Sequence, residues 1–313
     1  MSLSTSSFKI EIKVIGMVLL ALAACELGVR IFERRLSVDA KIPALSKRLV
    51  EGEGQLVLVL GNSLVRDGVN VDILEAEMRA QGVAPIHIER TYMMNTIIND
   101  WYYAFKHHFV DTGRLPGALV LCFSNNHLED ASIQRPLVAR YYSSPRDIPQ
   151  IFSEDVPDFD GRIDFLLSVG SASFTHRTNV GRRILDTLIP HYRASAMRIN
   201  NALTDEARKR SLGYQPTYHR LEEFLRMAAG HGVRVVLVAM PVESLYQINP
   251  QIKRTAEATG ATFIDSRLAE GLSEESYSDG MHMTSSGAAI YSRSLARQLA
   301  DYFKRTPREA NSE

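Results

Sequence analysis

The sequence predicts an α/β protein: a parallel sheet with helices on both faces, behind an apolar N-terminal helix. Three observations carry this. Apolar runs such as Leu56–Leu60, Ala118–Phe123 and the part of Val233–Met240 after Arg234 are continuous instead of alternating, the pattern of strands buried on both faces. Segments with helical spacing separate them, as in a sheet built from strand–helix–strand units. Polar turns, Gly61-Asn62-Ser63 and Ser124-Asn125-Asn126-His127, follow two of the runs, at the sheet edge where open α/β folds keep their ligands.

Taken in order, the chain opens with Lys9 and Lys13 ahead of the apolar run Val14–Cys25, continued by Glu26-Leu27-Gly28-Val29-Arg30-Ile31-Phe32. Three readings fit. A signal-anchor helix over Phe8–Phe32 spans a membrane if the Glu26 and Arg30 end lies in the interface, where these residues, one turn apart, pair. Leu22-Ala23-Ala24-Cys25 also resembles a lipobox, which would make Cys25 a lipidation site. The third reading is a buried or amphipathic helix of a cytosolic protein. We take the first, an anchor over 1–35, with a linker over 36–54.

The first strand is Gln55–Leu60. Val71–Ala80 is a helix, with Ile73, Leu74 and Met78 at helical spacing, and Gln81-Gly82 ends it. Ile86–Arg90 is the second strand and Ile97–Phe109 an aromatic-rich helix. Ala118–Phe123 is the third strand. Leu128–Gln215 is too long for a plain connection and reads as an inserted segment. Within it Tyr141–Pro145 and Asp155–Gly161 read as loops, while Phe165–Leu167, Val180–Ile189 and Tyr192–Leu203 read as helical. The strand–helix rhythm resumes with a helix over Tyr218–Ala229, a strand over Val233–Met240, a helix over Asn249–Thr259 and a short strand over Ala261–Ile264. A last helix runs from Ser285 to Lys304, with a charged tail over 305–313.

The bulk numbers set limits. A chain of 313 residues holds one large α/β domain, or a domain with an appendage. Lys plus Arg and Asp plus Glu balance at 36 each, which argues against nucleic acid as a partner. Cys25 and Cys122, the two cysteines, lie in an apolar segment and a buried strand and are not expected to pair. No phosphate-cradling glycine loop, CxxC or HExxH pattern occurs, so no metal or nucleotide cofactor is expected.

The chemistry rests on residues at opposite ends of the chain. A serine needs a base within hydrogen-bond reach and a third group to hold that base. Asp279 and His282, three residues apart in a glycine-containing loop, allow a carboxylate to fold back on Nδ1 and free Nε2 for the proton of Ser63. Acyl transfer also needs donors aimed at the developing oxyanion. The Ser63 backbone N–H, the Asn125 or Asn126 amide and a backbone N–H near Met94 or Asn95 are candidates.

Each residue also has a plain structural reading. Ser63 can cap a helix, Asp279 can form an Asx turn, His282 can lie on the surface, and Asn125 and Asn126 can shape a turn. His107 and His108 point to different faces and read as structural. Trp101, Tyr102, Tyr103 and Phe105 read as core before sugar platform. Arg182-Arg183 and Arg208-Lys209-Arg210 read as solvated faces before a docking surface for polyanionic glycan or lipid headgroups.

Gly61-Asn62-Ser63, Ser124-Asn125-Asn126-His127 and Asp279-Gly280-Met281-His282 together resemble the motifs of the SGNH (GDSL-like) hydrolase superfamily, over about residues 55–304. The resemblance implies a three-layer α/β/α, flavodoxin-like fold, with Ser63 as nucleophile, His282 as base and Asp279 as its orienter. It implies Asn126 as the oxyanion amide, or Asn125 if the register slips by one, beside the Ser63 N–H. Asn62 stands where the family has aspartate, the third motif lacks its glycine, and Thr91–Asn95 holds no counterpart of the second motif's glycine. The anchor ahead of such a domain resembles the accessory proteins that work beside membrane-bound O-acyltransferases in teichoic-acid D-alanylation and exopolysaccharide acetylation. That implies an extracytoplasmic, membrane-anchored esterase or O-acyltransferase acting on an acylated envelope glycan or lipid. A non-catalytic SGNH-shaped scaffold of such a complex is the alternative.

Overall fold

The computed structural model describes residues 5–42, 55–84, 86–192 and 215–305. The expected helix over Tyr192–Leu203 after its first residue, the Arg208–Arg210 cluster, most of the expected linker and the tail after Arg305 lie outside the described residues. The chain divides into two compact units. One comprises Met1–Ala40, Arg135–Arg140 and Pro149–Gln215; the other comprises Lys41–Gln134, Tyr141–Ile148 and Pro216–Glu313.

In the first unit, α1 runs unbroken over Thr5–Leu36. Its stretch Glu11–Leu36 is long and apolar enough to cross a membrane, with a mean hydropathy of 2.1 and none of it buried.

The second unit contains a five-stranded sheet. Its strands are β1 (Gln55–Gly61), β2 (Ile86–Tyr92), β3 (Ala118–Phe123), β4 (Arg234–Ala239) and β5 (Thr262–Asp265). All neighbours are parallel, in the order β2-β1-β3-β4-β5. This is the flavodoxin-like order, with its switch point beside β1. Val57 registers with Ile88 on one side and Ala118 on the other, so the ends of β1, β2 and β3 lie close together.

Alternation along the strands sorts their side chains into two buried layers. Val57, Val59, Val120, Cys122, Val236 and Val238 face a core completed by Leu64 and Val65 of α2 (Ser63–Gly68), Leu74 and Met78 of α3 (Val71–Ala80), and by the C-terminal helix. Leu58, Leu60, Leu121, Phe123 and Leu237 are buried too and point to the other face. There α4 (Ile98–Phe105) packs on a later helix, with the Phe105 and Phe224 rings 5.3 Å apart. Trp101, Tyr103 and Phe105 are fully buried and Tyr102 nearly so, which assigns the aromatic cluster to the core. Each such side chain contributes about 1.5–3 kcal/mol by burial.

Several boundaries differ from the sequence reading. The expected helix over Ile97–Phe109 ends as α-helix at Phe105 and widens into a π turn over Lys106–Val110. His108 is buried there, its Nε2 2.5 Å from the Tyr141 carbonyl oxygen. The expected loop over Tyr141–Pro145 contains the end of a π turn, Val138–Tyr142, and the start of a 3-10 turn, Pro145–Asp147. The segment that follows holds α5 (Ile148–Glu154), α6 (Phe159–Gly170), α7 (Ala172–Thr175) and α8 (Arg177–Leu188). The expected loop at Asp155–Gly161 is already helical from Phe159, because the Asp158 carboxylate accepts from the Gly161 N–H and caps α6.

The remaining helices match their apolar spacing. They are α9 (His219–Gly230), α10 (Pro250–Ala258), started by Pro250 and capped by Asn249, and α11 (Ser285–Arg305). α11 packs on α3 and α2. With α4 and α9 on the other face, the sheet is the middle of three layers.

Candidate active site

The site begins where β1 stops. Gly61 ends the strand at a point where a side chain does not fit: a Cβ there would run into Val65 Cγ2 and lie 2.9 Å from the Cys122 carbonyl oxygen. The glycine therefore lets α2 start hard against β3. Asn62 is the N-cap of α2, its Oδ1 accepting from the Leu64 N–H at 3.1 Å. Ser63 is the first helical residue, a position whose N–H has no acceptor within the helix. The sequence reading missed α2 itself, a helix of six residues, too short to show periodicity.

The partner loop is a tight turn between β5 and α11. It is closed by the Tyr277–Met283 bridge and by the Ser278 N–H on the His282 carbonyl at 2.8 Å. Gly280 takes a left-handed φ of +78, and a Cβ there would lie 2.7 Å from Glu243 Oε2. Asp279 Oδ1 accepts from the N–H groups of Met281 at 3.1 Å and His282 at 2.8 Å. Its Oδ2 lies 2.8 Å from His282 Nδ1, and His282 Nε2 lies 2.8 Å from Ser63 Oγ.

The Asx turn and the carboxylate–imidazole contact are therefore one structure, in which a single side chain shapes the loop and holds the ring. Burial alone would raise the Asp279 pKa. The hydrogen bonds from His282 and Met281 and the His282 charge outweigh it and bring the pKa below its ordinary value. An ionised Asp279 accepts from Nδ1–H, so the Nε2 lone pair faces the serine hydroxyl.

Asn125 and Asn126 follow β3 in a turn closed by the His127 N–H on the Ser124 carbonyl at 3.1 Å. Asn125 is left-handed, with φ 46, and both asparagine side chains are exposed. Asn125 Nδ2 lies 3.5 Å from Ser124 Oγ, a contact inside the turn. No hydrogen bond joins either amide to Ser63 among the described residues. On the other side of β1, the Met93 N–H donates to the Gly61 carbonyl at 3.0 Å, tying the β2 loop to the turn that carries Ser63. Asn95 in that loop is left-handed, with φ 56.

Two further residues organise the site. Asn62 Nδ2 donates to the Thr96 carbonyl at 3.3 Å and lies 3.2 Å from His127 Nδ1. The Ser124 N–H also points at His127 Nδ1, at 3.2 Å. Trp101 Nε1 donates to Thr96 Oγ1 at 2.8 Å and carries the chain into the core. Asn62 thus links the loops after β1, β2 and β3. Burial pushes the His127 imidazole down to about 4, so it stays neutral near pH 7. The sequence signal for this link was an asparagine and a histidine directly after two buried strands.

Neither a family model nor a curated protein sequence matches the chain. Solved structures do resemble it. A lipase/acylhydrolase from Enterococcus faecalis matches at 12% identity over 82% of this chain and 100% of its own, with a TM-score of 0.41. A GDSL-like lipase from Bacteroides thetaiotaomicron matches at 10% identity over 84% of this chain and 97% of its own, with a TM-score of 0.41. A catalytic mutant of an acetylxylan esterase from Geobacillus stearothermophilus matches at 12% identity over 79% of this chain and 95% of its own, with a TM-score of 0.39.

Proposed function

We propose that the protein is a membrane-anchored serine acyl esterase or O-acyltransferase of the SGNH type, working through an acyl-serine on an O-acyl ester of a cell-envelope glycan. The observation that carries the chemistry is the continuous contact from Asp279 through His282 to Ser63, 2.8 Å at each step. A serine hydroxyl, an imidazole and a carboxylate in that order at the carboxyl edge of a parallel sheet form a charge-stabilised nucleophile.

In this reading Ser63 Oγ attacks the ester carbonyl and gives its proton to His282 Nε2, while Asp279 stabilises the imidazolium. The oxyanion is held by the Ser63 N–H, a backbone N–H near Asn95 and the amide of Asn126 or Asn125. Collapse breaks the bond to the alcohol oxygen, which takes the proton back from His282. Water then cleaves the acyl-serine in an esterase, or a sugar hydroxyl takes the acyl group in a transferase. In both cases His282 removes the proton from the incoming oxygen and returns it to Ser63. The side chains of Ser63, His282, Asp279 and one of the two asparagines, with the backbone donors, carry these steps.

The apolar window Glu11–Leu36 supports membrane anchoring. The reading itself puts the catalytic unit on the extracytoplasmic side. That setting makes a membrane-bound O-acyltransferase the natural partner and an acylated glycan the natural substrate. Ester analysis of envelope glycans tests the assignment. Cells carrying Ser63→Ala should differ in O-acyl content from cells carrying the unchanged chain. Equal content, with the variant present at normal level, contradicts it.

A further inference from the structure

Among the described residues, the first compact unit carries apolar surface that their packing does not use. Helix α6 turns Gly161, Phe165 and Ser168 inward, where they are buried. On the opposite side stand Phe159, Ile163, Leu166 and Leu167, exposed by 75, 42, 50 and 47%. The spacing i, i+4, i+7, i+8 gathers these four on one face. Ile184 and Leu188, one turn apart on α8, are exposed by 51 and 71%. A helix with one apolar face in a core and a second facing outward is built to meet something else.

What it meets is indicated by α1, in the same unit. The charged end of α1 is bolted to these helices. Glu26 accepts from the N–H groups of Ala172 at 2.9 Å and Ser173 at 3.0 Å, and from Ser171 Oγ at 2.8 Å. Arg30 donates to the carbonyl of Gly170, the last residue of α6, at 3.1 Å. Glu33 pairs with Arg140 at 2.8 Å. Helix α6 therefore ends at the level where α1 changes from apolar to charged.

Arginines stand about one turn further along α1 and on α8 beside it. Arg34, Arg35, Arg182 and Arg183 are exposed, and Arg183 donates to the Arg35 carbonyl at 3.1 Å. An outward apolar face on a helix whose last residue is tied to the charged end of a membrane helix, with arginines on α1 and α8 beside it, fits the interfacial layer of a bilayer: hydrocarbon below, phosphate at the rim. A second copy of the chain would satisfy the apolar face and leave the arginine border without a counterpart.

We propose that the outer face of α6, with Ile184 and Leu188, lies in the interfacial layer of the membrane that α1 enters, and that Arg34, Arg35, Arg182 and Arg183 engage anionic lipid headgroups. The inference rests on α1 as a membrane span and not on the chemistry of Ser63.

The test uses the full chain in vesicles of phosphatidylcholine and phosphatidylglycerol containing doxyl-labelled lipid. Cys25 is replaced by serine; Cys122 is buried and stays. A nitrobenzoxadiazole label is attached at Leu166→Cys, at Leu20→Cys within α1, or at the exposed Glu257→Cys as control. Leu166 is expected to show blue-shifted emission and about threefold quenching by a shallow doxyl group, Leu20 quenching by a deep one, and Glu257 neither. Arg182→Glu with Arg183→Glu is expected to cut the Leu166 quenching about twofold in anionic vesicles only. Quenching at Leu20 with none at Leu166 overturns the proposal and leaves the anchor standing, including a Leu166 label shielded by a second copy, blue-shifted but unquenched. No quenching at either site overturns both. Leu166 quenching indifferent to the double arginine change overturns the headgroup contact.

Discussion

His282 Nε2 lies 2.8 Å from Ser63 Oγ, joining residues 219 positions apart in the chain. The contact spans the carboxyl edge of the sheet, from the first strand to the loop before the last helix. Neither residue is informative alone; the fold makes them a pair, and Asp279 gives the pair its direction.

Asp279 both orients the ring and shapes the loop, so Asp279→Asn separates charge from shape. The amide oxygen can still accept the Met281 and His282 N–H groups, but the carboxylate that stabilises an imidazolium is gone. We expect kcat/KM on an activated ester to fall about 10²–10⁴-fold with little change in fold by circular dichroism. The pH dependence of stability should change as well. The folded-state pKa of Asp279 lies below its unfolded value, so its contribution is present above the unfolded pKa of about 4 and is lost as pH falls through the folded one. The unchanged chain should therefore lose stability relative to Asp279→Asn on acidification below pH of about 4, as read by urea unfolding.

Gly61→Ala tests the crowding behind Ser63. The added methyl meets Val65 and the Cys122 carbonyl, and backbone on one side leaves little to yield. A loss of about 1–3 kcal/mol in urea unfolding is expected, with a fall in serine reactivity because α2 is displaced.

Asn62→Ala removes the α2 cap and the link to the Thr96 carbonyl together. The cap alone contributes about 1 kcal/mol. Asn62→Asp keeps the acceptor for the Leu64 N–H and loses the donor to Thr96. Urea unfolding should rank the unchanged chain above the aspartate variant, and that above alanine.

His127 makes the unit acid-sensitive. Its folded-state value of about 4 lies below the ordinary 6.5, so the unfolded chain binds the extra proton first as pH falls. Stability is complete above pH of about 6.5 and declines towards pH 4, by up to about 3 kcal/mol from this residue. His108, also pushed down to about 4 by burial, acts the same way. His127→Gln should flatten part of the decline between pH 7 and 4 in urea unfolding, and His108 should account for a further part.

The middle of the sheet was legible because β1, β3 and β4 hold aliphatic runs, whereas β2 carries His87, Glu89 and Arg90. Gln55–Leu60 and Ala118–Phe123 carry that pattern residue by residue, and their buried registers follow. The Asp279–His282 pair was legible because three residues with a glycine between them suffice to close the turn. The turns after β2 and β3 were harder to read. Asn95 and Asn125 reach left-handed backbone without glycine, which composition does not reveal. Asn62 looked chemically idle because its partners, Thr96 and His127, come from two other loops. The helices between Ile148 and Leu188 were blurred because α6 is apolar on two sides and α8 buries no residue, so neither has a single clean stripe.

The central claim is that Ser63 is a nucleophile, and a covalent adduct tests it most directly. The full chain is treated with a fluorophosphonate, digested, and mapped by mass spectrometry. The account predicts one adduct on the peptide carrying Ser63, absent in Ser63→Ala and formed about 10²-fold or more slowly in His282→Ala. Folded protein that takes no adduct at Ser63, or takes it equally fast without His282, contradicts the account.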